Sequence, residues 1–576
     1  MERRTMEFRG ANDEPLLNNT ITETREEMIT GDRVIEGRVN YRGEKINNHN
    51  EFGGWKSAFR VIVIDMVDAF TFYGIGSNLI SFLTMELNQS TATAALNVNA
   101  WVGFVQLFPL LVGFVADSYL GRFRTIVVSA LIYILGLGLL TLSAALLPGI
   151  KSVDCVSNLD VDGSTSCISA SSFQVFFFFG SLYLVAVGSA GYMTCAAAFG
   201  ADQFDELNSN ESKSKGSFFN WWQIATSAGA TTSHLTLNYI QDNLGWGLGF
   251  GISCISMIAA LIVLMSGFKS YRHYVKSEDE EAPMLGLTDV LVAVAKKWRS
   301  RFPSSTVIQE EAIEIIPLHR TSARKEAKVE DTKAILRLVP VWFICLTYAI
   351  VIAQHMTFFT KQGSTMDRSI GSNFQIPSAT FQITISLSII LFMAVYDRLF
   401  VPFARSITGK PNGITMLQRI GGGIFFSAIS MVAAAIVEKR RLQIVLDFGL
   451  IDKPEITVPM SVWWLLPQYV LIGLAILLTI AGLQEFFYDQ MPDGLRSVGI
   501  SLFSSMFGIG SVLSGFLISF IQKVTSAGGQ YGWFSDNLNR AHLDYFYWLL
   551  AGLSAGELIV FLYFSKSYVY KSSISV

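Results

Sequence analysis

The chain has 576 residues, of which 51% are hydrophobic and only 15% are charged, and its formal net charge is −3. Soluble globular proteins carry about 25% charged residues, so this composition excludes an ordinary soluble domain and indicates an integral membrane protein. The small net charge argues against a nucleic-acid partner, and five cysteines are too few for a disulfide scaffold.

The chain begins with a polar, charged stretch that contains no cleavable signal peptide. We predict a disordered cytosolic tail over residues 1–52. Within this tail, the string DEPLL at Asp13–Leu17 places two acidic residues before two leucines. Such a string can be an endomembrane sorting signal, but similar strings also arise by chance in disordered tails.

Twelve apolar stretches follow that are long enough to cross a bilayer, which takes ~20 mostly apolar residues. The fifth is the weakest prediction because it is polar for a span, although Ala228, Gly229 and Ala230 suit close contact between helices. The predicted stretches are 60–83, 98–116, 125–147, 173–194, 217–240, 246–268, 334–357, 378–396, 414–437, 461–483, 497–520 and 543–564.

A charged segment at 269–333 separates the first six stretches from the last six. It contains an amphipathic sequence at 286–302, which indicates either a helix on the membrane surface or a solvated linker helix. The chain therefore divides into an N-terminal bundle at 53–268, a cytosolic linker at 269–333, a C-terminal bundle at 334–566 and a cytosolic tail at 567–576. Two six-helix bundles predict an all-α integral membrane protein with the major facilitator architecture.

Lysines and arginines in the short loops lie mostly on the same side as this linker, which predicts that both termini are cytosolic. The loop predicted around Lys439–Arg441 breaks the rule. Cys155 and Cys167 share a polar loop on the other side, where a disulfide between them is one of two open alternatives.

Two aspartates, Asp65 and Asp68, lie in the first apolar stretch, which contains no basic residue. Each costs about +2.5 to +3.5 kcal/mol at the centre of a membrane helix. Because they are three residues apart, they share one helix face. This pair predicts an ion or substrate pathway. The alternative is that the two side chains only hydrogen-bond to neighbouring helices.

Several motifs in a fixed order resemble a known transporter family. The string GFVADSYLGRFR at Gly113–Arg124 resembles the loop signature of major facilitators, in which Asp117 and Arg122 would pair or cap helix ends and set the geometry of gating. Together with six later motifs, this string makes the chain closely resemble the plant nitrate/peptide transporter family, part of the proton-coupled oligopeptide transporters. The later motifs are GADQFD at 200–205, FFNWW at 218–222, TFFTKQG at 357–363, YDR at 396–398, GITMLQRIG at 413–421 and EFFY at 485–488. The resemblance covers about residues 53–564 and implies alternating access in a plant plasma membrane or an internal membrane such as the vacuole.

This chain departs from the family where the family's coupling residues lie. The family's first helix carries Glu-x-x-Glu-Arg/Lys, and the matching residues here are Asp65, Asp68 and Ala69. Four residues of later family helices are also replaced. Met193, most simply an apolar filler, stands where the family has a lysine, and Ser227 stands where it has an asparagine. Ile352 replaces a histidine, with His355 three residues later, and Ile476 replaces a glutamate.

The matched cavity retains two acids and no base. Two carboxylates at low dielectric without a cation should not both ionise, so we expect them to share one proton. They either still carry a proton through the transport cycle or have lost coupling, and we favour lost coupling. An acidic pocket disfavours nitrate and suits a cationic or zwitterionic solute, such as an amino-acid-derived, peptide-like or nicotianamine-like compound.

Other polar side chains are candidates for the same route. Tyr73, Gln223, Gln354, His355 and Gln362 can line it, while Glu485 matches the family's EFFY string and can be a gate contact. The alternatives to a solute transporter are a proton-coupled nitrate or peptide symporter and a transporter-like sensor with little flux. No nucleophile–base pair, phosphate-binding glycine loop or metal-ligand spacing appears, so we expect neither an enzyme nor a cofactor. The expected partners are the solute, the lipid bilayer and, if coupling persists, protons.

Overall fold

The structure is a computed structural model. It describes residues 38–46, 51–146, 171–205, 208–274, 337–371, 374–409, 414–491, 496–527 and 531–568. Four sequence predictions concern residues outside this part of the chain: the string at 13–17, the loop with Cys155 and Cys167, the amphipathic stretch at 286–302 and most of the C-terminal tail.

The described residues form twelve helical spans, which confirms the predicted all-α membrane fold. Ten of them are long and apolar enough to cross a membrane by length and composition. The other two are the first, which carries the aspartates, and the fifth, whose prediction was the weakest. In chain order the spans are Gly54–Gly76 with Leu79–Met85, Thr91–Val115, Arg122–Leu146, Ser172–Ala201, Ser209–Asn243, Trp246–Ser266, Arg337–Ser364, Ser378–Thr408, Met416–Asp447, Val462–Leu465 with Leu466–Asp489, Arg496–Thr525 and Leu543–Ser567.

The spans pack as two bundles. The first packs on the fifth and sixth and the third on the fourth, while the ninth packs on the tenth and twelfth and the seventh on the eleventh. The second span lies against the eleventh and the fifth against the eighth, and these two pairs form the seam between the bundles. Leu131, Leu135 and Leu142 remain exposed along one face of the third span. A continuous apolar face of this kind suits contact with lipid.

The first and fifth spans approach each other closely at a glycine. A Cβ atom on Gly229 would collide with the backbone carbonyl oxygen of Met66. Glycine has no Cβ, so it lets the two helix backbones come into contact. The sequence prediction that small residues in the fifth span suit close helix contact therefore holds at this position.

The first span is not continuous as predicted, because it is interrupted at Ser77 and Asn78. Ser77 Oγ donates to Tyr73 O at 2.6 Å, and Asn78 Nδ2 donates to Asp242 Oδ1 at 2.7 Å. Gln241 Nε2 in the fifth span donates to Gly74 O at 2.7 Å. These side chains satisfy backbone and polar groups at the interruption, and so the helix can break inside the bundle.

The ninth span corrects the prediction of a loop at Lys439–Arg441. The helix continues to Asp447, so these residues lie within it. Arg441 and Glu438 are both fully buried and form an ion pair, with Arg441 Nη2 at 2.6 Å from Glu438 Oε1. Because the charges compensate each other inside the bundle, Arg441 does not act as a loop cation, whereas Lys439 and Arg440 are exposed on the helix.

Short strands lie at both ends of the molecule. Strand β1 (Arg38–Val39) pairs antiparallel with β2 (His273–Tyr274), so the tail predicted for 1–52 contains an ordered stretch at 38–46. We call the end with β1 and β2 the termini end, since the twelfth span also finishes there. At the opposite end, β3 (Met366–Asp367) pairs parallel with β6 (Val458–Ser461), and β4 (Ser369–Ile370) pairs antiparallel with β5 (Phe374–Gln375).

Candidate functional site

Asp65 and Asp68 lie near each other in the first span but are hydrogen-bonded to different helices. Trp222 Nε1 of the fifth span donates to Asp65 Oδ2 at 2.7 Å, and Ser189 Oγ of the fourth donates to Asp68 Oδ1 at 3.1 Å. Asp65 is 7% exposed and Asp68 is half-buried. These contacts agree with the alternative in which the two side chains only hydrogen-bond to neighbouring helices. A role in a solute or proton pathway stays a prediction.

Neutral groups surround the two carboxylates. Tyr133 from the third span and Tyr192 from the fourth lie near Asp68. Both phenol hydroxyls are buried and have no hydrogen-bond partner of normal geometry among the described residues. Within that part of the chain, no lysine or arginine forms an ion pair with either aspartate. Only uncharged donors among the described residues surround the acidic pair, so no fixed positive charge opposes the binding of a shared proton.

Met193 of the fourth span lies close to the contact between Asp68 and Ser189. Met193 lies one turn after Ser189 on the same face of the fourth span, and its side chain is 45% exposed. It therefore does not fill a buried gap, as the sequence suggested for a vacated lysine position. Gln223 in the fifth span is also exposed, whereas Ile476 is half-buried and packs against the main apolar core.

Gln354 is fully buried in the seam between the bundles. Its Nε2 donates to Ser514 Oγ at 2.9 Å, and Asn99 Nδ2 donates to the same oxygen at 3.2 Å. This chain of hydrogen bonds joins the second, seventh and eleventh spans. Gln354 therefore links helices across the seam, and its role as a lining residue of the route stays a prediction.

Tyr73 and His355 both lie close to His234, a residue that the sequence analysis does not single out. The rings of Tyr73 and His234 pack edge to face with centroids 5.4 Å apart, and His355 lies close to His234. The carbonyl oxygen of His234 accepts from Thr380 Oγ1 of the eighth span at 2.9 Å. His234, from the fifth span, thus lies where the two bundles meet. The only sequence signal for His234 was that a single histidine occurs in the fifth apolar stretch, the weakest of the twelve.

Comparisons with known proteins agree with this geometry. A family model described as "PTR2: POT family" matches residues 123–534. The chain is 51% identical over 556 residues to Protein NRT1/PTR FAMILY 5.10 of Arabidopsis thaliana, covering 94% of this chain and 97% of that protein. The chain belongs to the POT family. Protein NRT1/PTR FAMILY 5.12 of the same plant is a further POT relative, 47% identical over 565 residues, 96% of this chain and 100% of that protein.

A solved POT structure shares the fold. An auto-inhibited POT family peptide transporter superposes with a TM-score of 0.66 at 20% identity, covering 90% of this chain and 98% of that one. The predicted family resemblance is therefore confirmed, and so is the predicted fold. This POT protein is a multi-pass integral membrane protein from a family of transporters, which are not enzymes.

The POT motifs at the termini end form two charged contacts. Arg122 Nη1 lies 2.5 Å from Asp202 Oδ2 of the GADQFD string, and Arg38 Nη2 beside β2 lies 2.9 Å from Asp202 Oδ1. The structure does not describe the side chain of Asp117, so its predicted gating contact with Arg122 stays a prediction. The sequence could not have shown that Asp202 bridges two arginines, because these residues are far apart in the chain.

The second charged contact lies in the C-terminal bundle. Arg419 Nη1 lies 3.7 Å from Glu485 Oε2, and the guanidinium sits 4.9 Å above the ring of Tyr396. Glu485 is therefore engaged with a neighbouring helix near the termini end. Gln362, by contrast, lies towards the opposite end, where its Nε2 donates to Glu438 Oε2 at 2.8 Å.

Proposed function

We propose that this POT protein moves small polar organic solutes across a membrane by alternating access, and that Asp65 and Asp68 face the solute route. One observation carries the proposal: an acidic pair, with Asp65 buried and Asp68 half-buried, stands among neutral donors, and Met193, one turn beyond the donor to Asp68, is exposed. An ionisable side chain at this depth is expensive, so its presence points to a function beyond packing.

The charge of the site favours one class of solute. Two acids and no base leave a negative or singly protonated site, which attracts ammonium groups and repels bare anions. Amino-acid-derived, peptide-like and nicotianamine-like compounds carry such groups, whereas nitrate does not. The missing basic partners also favour movement that no proton gradient drives, because an ion-pair exchange between acid and base cannot occur at this site.

The seam between the bundles supports alternating access. At the end opposite the termini end, Lys361 Nζ donates to Thr84 Oγ1 at 2.8 Å, and Gln382 Nε2 donates to Ser77 O at 3.0 Å. At the same end, the backbone N–H of Thr91 donates to Asp536 Oδ1 at 2.7 Å. Each bond joins one bundle to the other, so the halves are closed against each other there. With the termini in the cytosol, as the loop charges predict, this is the extracytosolic side.

Uptake competition tests the solute class. Cells expressing the protein should take up a labelled cationic or zwitterionic amino compound faster than labelled nitrate, and excess nitrate should not compete. Cells carrying an empty vector supply the background rate. Nitrate uptake that exceeds uptake of the amino compound would overturn the proposed solute class. In proteoliposomes, saturable binding without net flux would instead identify a sensor.

A further inference from the structure

A second buried acid lies in the twelfth span, apart from the first-span aspartates. Glu557 is 6% exposed. Neither carboxyl oxygen has a hydrogen-bond partner of normal geometry among the described residues. Native proteins leave few buried polar atoms unsatisfied, so an orphaned carboxyl group indicates that a ligand, a water or a proton belongs there.

Neutral groups from three helices surround this carboxyl. Cys345 and Tyr348 of the seventh span lie close to Glu557, and Thr479 of the tenth lies beside Tyr348. Ser554 is one turn earlier on the same face of the twelfth span. The hydroxyls of Tyr348, Thr479 and Ser554 are buried and also have no hydrogen-bond partner of normal geometry in the part of the chain that the structure describes. We call these five residues the Glu557 cluster.

The seventh span is irregular at the same level. Its helix is interrupted by a turn at Cys345, and the backbone amide of Tyr348 lies near the carboxyl group. The turn keeps helical hydrogen bonds, since the Cys345 N–H donates to Val341 O at 3.0 Å and the Ala349 N–H donates to Cys345 O at 3.2 Å. The irregular turn therefore lies where the twelfth span presents its acid.

Among the described residues, no lysine or arginine of the ninth or tenth span lies at the level of this cluster. The ninth span, which packs along the twelfth, has no charged residue between Arg419 and Glu438. Arg419 is held at the termini end with Glu485, and Glu438 is paired with Arg441. The tenth span carries charge only at Glu485 and Asp489. An ionised carboxylate here would be buried without a counter-charge, which is the most costly state for such a group.

We propose that Glu557 is a proton-binding site within the C-terminal bundle, where the protonated carboxyl group donates to one of the surrounding hydroxyl oxygens. The proton comes from water and no other bond changes. Protonation then turns four orphaned polar groups into a connected network between the seventh, tenth and twelfth spans. Loss of the proton leaves a bare charge between these helices and favours their separation. The site is independent of the solute and of whether Asp65 and Asp68 move protons.

Infrared spectroscopy of the purified protein tests this directly. At neutral pH, the spectrum of the unaltered protein minus that of Glu557→Gln should contain the carbonyl band of a protonated carboxyl group. At least one of Tyr348→Phe, Thr479→Val and Ser554→Ala should shift this band, because each removes one hydrogen-bonding hydroxyl. Asp452→Asn, which changes an exposed carboxylate, should instead remove an ionised carboxylate band. An ionised band in the Glu557→Gln difference, or no shift in any of Tyr348→Phe, Thr479→Val and Ser554→Ala, would overturn the proposal.

Thermal unfolding in detergent provides a second readout with a defined sign. The folded protein retains a proton that the unfolded chain releases above about pH 4.3, so its folded-to-unfolded ratio should fall by up to about tenfold per pH unit above that value. Glu557→Gln should remove this part of the pH dependence, while Asp452→Asn should follow the unaltered protein. Parallel curves for Glu557→Gln and the unaltered protein would contradict the proposal. So would a melting temperature that rises when sodium replaces a bulky organic cation, since that result would identify a sodium site.

Discussion

The buried ion pair in the ninth span provides a sharp test of how the C-terminal bundle is held together. Arg441 is fully buried and makes hydrogen bonds to four partners, one of which is Thr365 Oγ1 at 3.4 Å from Nη1. Its Nε and Nη2 bind Glu438 at 2.9 and 2.6 Å, Nη1 binds Asn539 Oδ1 at 3.0 Å, and Nη2 also binds Leu538 O at 2.8 Å. Glu438 in turn accepts from Gln362 of the seventh span at 2.8 Å. One pair therefore ties the ninth span to the seventh and to the segment before the twelfth.

Removing one member should be far more harmful than removing both. Arg441→Met leaves the Glu438 carboxylate buried with Gln362 as its remaining donor, so we expect a loss of about 3–5 kcal/mol in the free energy of unfolding. Glu438→Gln should cost a similar amount because it leaves the guanidinium buried without a counter-charge. The double variant carries no uncompensated charge, and its cost should be smaller than the sum of the single costs by at least about 2 kcal/mol.

Denaturant-induced unfolding in detergent micelles measures these differences. Lys439→Met and Arg440→Met are matched controls, since both residues are exposed neighbours in the same helix, and each should change stability by less than about 0.5 kcal/mol. Single substitutions that cost less than about 1 kcal/mol, or a double variant whose cost equals the sum, would refute the argument that the two charges compensate each other in the bundle.

Three further substitutions test other contacts. Trp222→Phe removes the donor to Asp65 and should lower stability by about 1–3 kcal/mol, measured by thermal unfolding; an unchanged melting temperature would argue against this hydrogen bond. Gly229→Ala forces a methyl group against the carbonyl of Met66 and should cost about 1–3 kcal/mol and reduce the yield of folded protein, whereas normal yield and stability would show that the helices can separate without penalty. Asp202→Asn weakens the bridge to two arginines at the termini end and should cost about 1–2 kcal/mol, with a smaller difference from the unaltered protein at high salt; a salt-independent difference would contradict an electrostatic origin.

The fold could be predicted from the sequence because bilayer thickness constrains it strongly. Apolar stretches of spanning length located the helices, and the charged segment at 269–333 separated the two bundles. The ends of the helices were less predictable. The ninth continued ten residues beyond its predicted end at residue 437, because Glu438 neutralises Arg441 within the bundle. A pattern based on single residues cannot detect such a compensation between two charges.

The candidate site was predictable in its acids but not in their surroundings. Asp65 and Asp68 were conspicuous because charges are rare in apolar stretches. Their neighbours Tyr133, Ser189 and Tyr192 are ordinary residues in apolar helices, and only the packing of the third and fourth spans brings them to the carboxylates. Nothing in their local sequence distinguishes them from core residues.

The surroundings of Gln354 and Glu557 could not be predicted from the sequence either. Gln354 is a route candidate by residue type, and only the structure shows that it also bonds to Ser514 across the seam. In the sequence, Glu557 is only a single acid in the last apolar stretch. Its significance depends on the absence of partners around it, and this can be recognised only when the neighbouring helices are in place.

Flux in proteoliposomes under an imposed pH gradient tests the central claim most directly, with labelled nicotianamine as the probe. The unaltered protein should equilibrate the solute without concentrating it against its gradient, and Asp65→Asn and Asp68→Asn should each slow this equilibration. Accumulation that follows the proton gradient and is lost in either variant would contradict the account, because the acidic pair would then be driving transport and not only lining the route.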